Sequence, residues 1–238
     1  SEMKRFFHIH NKTVKDNFVR FGVENNRNQS FVACLSLLNN FEKHKNDSDL
    51  TKLLNKVQTI KQFKKDLLKS IDIDTYVGLH NGDINAMFYD ETKEVSKKSI
   101  NKYKNTKAFE AIGDQLVKSI NSYERFIDHI KDDNTIIDHR LLWEASLLLF
   151  NKKYNLIVIE YDTVNDGIHL VCPVYNYMHQ LDKFNIDKAS FILVKQKEFY
   201  EPIIYFNKSK SVDIQYNHSS RDYLHKFLSN VSALYRNT

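Results

Sequence analysis

The chain has 238 residues and a mass of 28.2 kDa, enough for one domain with a substantial buried core. Hydrophobic residues make up 42% and charged residues 27%, and no apolar run reaches the roughly 18 residues of a membrane helix, so a soluble globular chain without a membrane partner is expected. A formal net charge of +5 permits contact with nucleic acid or an acidic partner without requiring it. The only cysteines, Cys34 and Cys172, lie far apart without CxxC or Cys/His clustering, which argues against a disulfide framework or a zinc site and favours a reducing, intracellular setting. No cofactor motif is present, and the first ten residues, SEMKRFFHIH, lack the apolar core of an export signal. Asn, Lys, Ile and Tyr are abundant, as an A+T-rich genome produces by itself, so lysine content alone carries reduced weight.

In chain order, residues 4–10 and 17–23 are short, aromatic and β-prone, and the polar turn ENNRN follows. A helix is expected next, capped by Asn28 or Ser30, with Phe31, Cys34, Leu35 and Leu38 on its buried stripe. Residues 47–70 carry helical spacing with Asp and Ser near the start, and a turn through Asn81-Gly82 leads into a second short helix. Residues 91–107 are the most polar and lysine-rich part, readable as an exposed loop or solvated helix and the best candidate for a mobile insertion. Residues 108–133 read as one long amphipathic helix or a helix pair, and 138–154 as another helix with Trp143 on its apolar side. The period then changes. Residues 155–163, 168–175, 189–195, 201–206 and 212–216 are dense in β-branched and aromatic residues between short links, and a helix with Ser219 or Ser220 ahead of it closes the chain. Helices first and strands second predict a single α+β domain over residues 1–238, with a C-terminal, mostly antiparallel sheet of four or five strands.

The order of parts carries a resemblance. NQSF opening a helix at Asn28, then YERFIDHI, then DHRLLWEASLLLFNKKYNLIVIE, then FILVKQKEFYEPIIYF together resemble the OTU-type, papain-like cysteine proteases. In that family Gly-Asn-Cys-Leu-Phe opens the nucleophile helix and a late His-Tyr pair supplies the base. Asn28 and Phe31 match the motif, but Gln29 stands at the nucleophile and Phe199-Tyr200 where His-Tyr would be. Thiolate and imidazole work as a unit, so losing both implies a pseudoenzyme. A second resemblance, in FVRFGVENNRNQSFVACLSLL, NLIVIEYDTVNDGIHLVCPVYNYM and FILVKQKEFYEPIIYF, is to a region of the large subunit of the early transcription factor of nucleocytoplasmic large DNA viruses, the giant viruses. It implies a role in viral transcription beside a protein of that machinery, inside the host cytoplasm, the viral factory or the virion.

Several other constellations compete with these. Cys34 with one of the ten histidines could form a dyad, the basis of an alternative reading as an active deubiquitinase, although its helical phase buries it. Cys172 sits in a strand-like run as a small hydrophobe, and His8 with His10 could hold a metal only with a third ligand. Glu144 and Glu160 invite a nuclease reading but lack a companion Asp at a recognisable spacing, and Ser30 lacks the GxSxG setting of a nucleophile. Lysines at 52, 56, 61, 64, 65 and 69 and at 93, 97, 98, 102, 104 and 107, with Phe63 and Tyr103 interleaved, could form one phosphate-tracking surface. Lys64, Lys65, Lys97 and Lys98 are the expected contacts to DNA. A pure protein-interaction domain, in which these lysines only solubilise, is the third possibility.

Overall fold

The computed structural model describes residues 17–44, 57–150, 154–162, 167–171, 184–206, 212–218 and 224–236. Its order begins β1 (Asn17–Arg20), α1 (Ser30–His44), α2 (Ile60–Ser70), α3 (Ile73–Tyr76), α4 (Ile84–Phe88), α5 (Lys97–Tyr103), α6 (Lys107–Ile112), α7 (Leu116–Lys131) and α8 (His139–Ser146). It continues with β2 (Tyr154–Asp162), β3 (Gly167–Val171), β4 (Ala189–Gln196), β5 (Phe199–Phe206), β6 (Val212–Asp213) and α9 (His225–Arg236). The fold is α+β. Its sheet has six strands in the order β1-β5-β4-β2-β3, with β6 on the far end of β5. Among the described strands only β2 and β4 run parallel, and every other pair is antiparallel. The sheet is therefore larger by one strand than the C-terminal pattern suggests, because β1 arrives from the opposite end of the sequence.

Both faces of the central strands are covered, which is why β2 and β4 read as continuous apolar runs rather than alternating ones. One face (Leu156, Val158, Phe191, Leu193, Tyr200) packs into the large core with α1 and the helical half. The other (Ile157, Ile159, Ile192, Val194, Ile203) receives Phe227, Leu228 and Val231 of α9. Helix α1 is buried over Ser30–Asn40 on all sides, not only along the stripe its sequence suggests. Its buried polar residues are bonded, Ser36 Oγ donating to Gln58 O and Asn39 to the Gln58 carboxamide, as a helix inside a molecule requires. Helix α7 organises the helical half: Leu116, Ile120, Tyr123, Phe126 and Ile130, spaced by three and four residues, are buried against α2 to α6.

Helix boundaries follow local chemistry. Thr59 caps α2 by accepting from the N–H of Gln62, Ser96 caps α5 and Asp138 caps α8. At α1 the Asn26 carboxamide accepts from the N–H groups of Asn28 and Gln29, so neither expected cap serves. Residues 45–56, 172–183 and 219–223 lie outside the described residues; with them go the first half of the helix expected over 47–70, Cys172, and the caps Ser219 and Ser220, as do His8 and His10. The 108–133 stretch is a helix pair, and the helix expected over 138–154 ends at Ser146. The turn before α4 holds His80 and Asn81 at φ of 50° and 58°, a left-handed pair that glutamate and backbone anchors sustain. Glu144 accepts from the His80 N–H at 2.7 Å, and His80 Nε2 donates to Leu141 O at 3.0 Å. The lysine-rich stretch 91–107 is docked: Tyr103 is buried, and Asn121 donates to the carbonyls of Asp90 and Lys93.

Candidate functional site

The start of α1 and the start of β5 meet. β1 pairs with the second half of β5 and leaves after the Phe21 N–H donates to Pro202 O, so the remaining edge of β5 needs other partners. Helix α1 supplies them from one face. Ser30 Oγ accepts from the Tyr200 N–H at 2.9 Å and donates to Glu198 O at 3.3 Å. One turn on, the Cys34 thiol donates to Tyr200 O at 3.5 Å. Residues at i and i+4 share a helix face, and here that pair takes the place of a strand.

This use of Cys34 sets its chemistry. Burial pushes its thiol well above the ordinary range, and the Glu201 carboxylate adds to the rise. Reactive thiols need exposure and nearby positive charge, and Cys34 has neither. The imidazole in this region is His139, the first residue of α8, packed edge-on against Phe31 and Tyr200 at ring distances of 6.2 and 5.8 Å. Its Nδ1 bonds the Tyr200 hydroxyl at 2.8 Å, whereas Cys34 bonds the Tyr200 main chain, so tyrosine separates thiol from imidazole. Burial pulls His139 down to about 4, and its Nε2 has no hydrogen-bond partner.

Gln29, at the position where the resemblance puts a nucleophile, is fully buried and held on three sides. Its Nε2 donates to Asp132 O at 2.7 Å and Thr135 O at 3.2 Å, and its Oε1 accepts from Lys64 Nζ at 3.0 Å. The same ammonium donates to Asp133 Oδ1 at 2.8 Å, and its remaining proton is shared between Asp132 O at 3.2 Å and Lys131 O at 3.4 Å. Lys64 thus places a cation at the C-terminal carbonyls of α7, where the helix dipole favours one, and holds the Asp133 carboxyl below its usual range. Asn28 extends the clasp through Asn134 O, and Ile137 N–H donates to Asn28 O. The loop between α7 and α8 is bound to the α1 start by the side chains of Asn28, Gln29 and Lys64.

No family model, curated protein or solved structure matches this chain.

The four lysines separate. Lys64 is 3% exposed and fully engaged, so it is corrected from a phosphate contact to a structural cation. Lys65, Lys97 and Lys98 are exposed. Phe63 and Tyr103 are buried, and Tyr103 takes the Lys102 ammonium on both its hydroxyl and its ring, so neither can stack on a base. Glu144 and Glu160 have separate roles, the first holding His80 and the second paired with Lys195 at 3.0 Å. Sequence reasoning missed the Gln29–Lys64 clasp, although a signal existed: Ile60, Phe63, Lys64 and Leu67 fall at i, i+3, i+4 and i+7, which places Lys64 on the buried stripe. A cleft of about 260 Å³ between Phe21, Val23, Ala33, Leu37, Val57 and Thr59 lies nearby, smaller than the roughly 300 Å³ at which small-molecule pockets begin.

Proposed function

We propose that this chain is a non-catalytic binding module, OTU-like in the order of its parts, that serves viral transcription by holding a partner protein and, through backbone phosphates, DNA. The observation that carries the non-catalytic half is the clasp on Gln29: the residue at the helix start is a buried structural amide, and Cys34 is committed to the β5 edge. An acyl-transfer enzyme needs a nucleophile within reach of a base, and both groups here serve packing instead. The binding half rests on the exposed Lys65, Lys97 and Lys98, with Lys93, Lys102, Lys104 and Lys107 exposed around the latter two. With Phe63 and Tyr103 buried, their contribution is phosphate neutralisation, which suits duplex better than stacked single strand. The link to transcription rests on the resemblance of the ordered motifs to the early transcription factor large subunit.

Incubation with an electrophilic ubiquitin probe tests the reading. Intact mass is expected to show the unmodified chain; an adduct that disappears in Cys34→Ala would establish the alternative, an active cysteine hydrolase.

A further inference from the structure

At the far side of the sheet, two histidines are set by hydrogen bonds that decide their tautomers. His225 opens α9, and its Nδ1 lies 2.9 Å from His218 O. A carbonyl only accepts, so Nδ1 carries the proton and Nε2 of His225 keeps its lone pair. Ser229, one turn further along α9, donates its single hydroxyl proton to His225 O at 2.8 Å. Its oxygen is left to accept from His218 Nε2 at 3.3 Å, so Nε2 of His218 carries a proton and Nδ1 keeps the lone pair. Each ring therefore has one nitrogen oriented by a hydrogen bond and the other available as a donor to a metal, the arrangement that second-shell partners impose on metal-bound imidazoles.

The two rings are also close enough to share one ion. A metal about 2.0–2.1 Å from each imidazole nitrogen stands about 3.2 Å from each ring centre, and a tetrahedral angle at the metal then separates the centres by about 5.2 Å. The His218 and His225 ring centres are 5.2 Å apart, with their planes inclined by 62°. We propose that His218 and His225 form a two-imidazole site for a borderline divalent transition ion of the Zn²⁺, Ni²⁺ or Cu²⁺ class, oriented by Ser229 and the His218 carbonyl. Among the described residues no group of three or more His, Cys, Asp or Glu stands ready for a metal, so water or a partner's side chain completes the coordination sphere. His225 is exposed and His218 partly so, which keeps those positions reachable. Imidazole pairs bind these ions and leave Mg²⁺ and Ca²⁺, which take oxygen ligands, in solution.

The full chain, stripped with chelator and carrying His8→Ala and His10→Ala to silence the N-terminal histidines, is titrated with ZnCl₂ by calorimetry. One saturable equivalent is expected, with MgCl₂ giving none. His218→Ala and His225→Ala should each weaken binding by about tenfold or more, and Ser229→Ala, which reaches the metal only through His218, by about tenfold. Circular dichroism confirms that each variant is folded, and electron paramagnetic resonance of the chain with one equivalent of Cu²⁺ needs no substitution at the site. Coupling to two imidazole nitrogens supports the assignment. No saturable Zn²⁺ binding, unchanged affinity in both histidine variants, or a Cu²⁺ spectrum without imidazole coupling overturns it.

Discussion

Lys64 and Lys65 are adjacent in sequence and opposite in fate, and the difference is measurable. Removing the Lys64 ammonium takes the donor from Gln29 Oε1 and from Lys131 O, the last carbonyl of α7, and takes the cation from the helix end, so Lys64→Met is expected to cost about 3 kcal/mol in chemical denaturation. Lys65→Met should stay within about 0.5 kcal/mol of the parent, as surface changes do. His139 makes a second prediction at this scale. Its folded-state value of about 4 lies below the ordinary 6.5, so between these pH values the unfolded chain binds more protons than the folded one. Stability is then fully present above about pH 6.5 and falls as pH drops towards 4, by an amount on the order of 3 kcal/mol from this residue alone. Melting curves of the parent and His139→Gln across that window check it; the substitution should flatten the slope, and an unchanged slope would remove His139 from the account.

At the level of elements, the joint between α1 and β5 explains both what the sequence revealed and what it concealed. The apolar phase of Phe31, Cys34, Leu35 and Leu38 was enough to place Cys34 inside, and the β-branched runs located β2, β4 and β5. The partner of a strand edge is not encoded in either period: Ser30 read as a cap because serine caps helices, yet its hydroxyl bridges Glu198 O and the Tyr200 N–H 170 residues away. Nor could periodicity show that β1 joins the far end of the sheet, since that pairing is decided by the tertiary fold. Ser30→Ala should therefore cost about 1–3 kcal/mol through an unsatisfied backbone pair, measured by denaturant unfolding, whereas a mere capping serine would lose less. The thiol at the same joint should resist iodoacetamide in the folded chain and react after denaturation, with peptide mapping to assign the label to Cys34. Labelling at equal rates in both states would contradict its sealed position.

For the whole molecule, the α+β class and most strand positions were legible because covered strands and amphipathic helices leave strong periods. The surfaces were less so: lysine runs look alike whether one member is buried at a helix end or exposed, and the His218–His225–Ser229 arrangement has no motif until α9 brings its members together. No helix among the described residues is long and apolar enough to cross a membrane, and the function we propose is binding. The measurement that tests this most directly is fluorescence anisotropy with a labelled A+T-rich duplex and a matched single strand at several salt concentrations. Duplex affinity is expected to fall steeply with salt, with the log–log slope reduced by about one for each of Lys65, Lys97 and Lys98 replaced by Ala. Absence of binding at low salt, or a slope indifferent to all three replacements, would contradict the phosphate-contact claim and leave the lysines as solubilising charge.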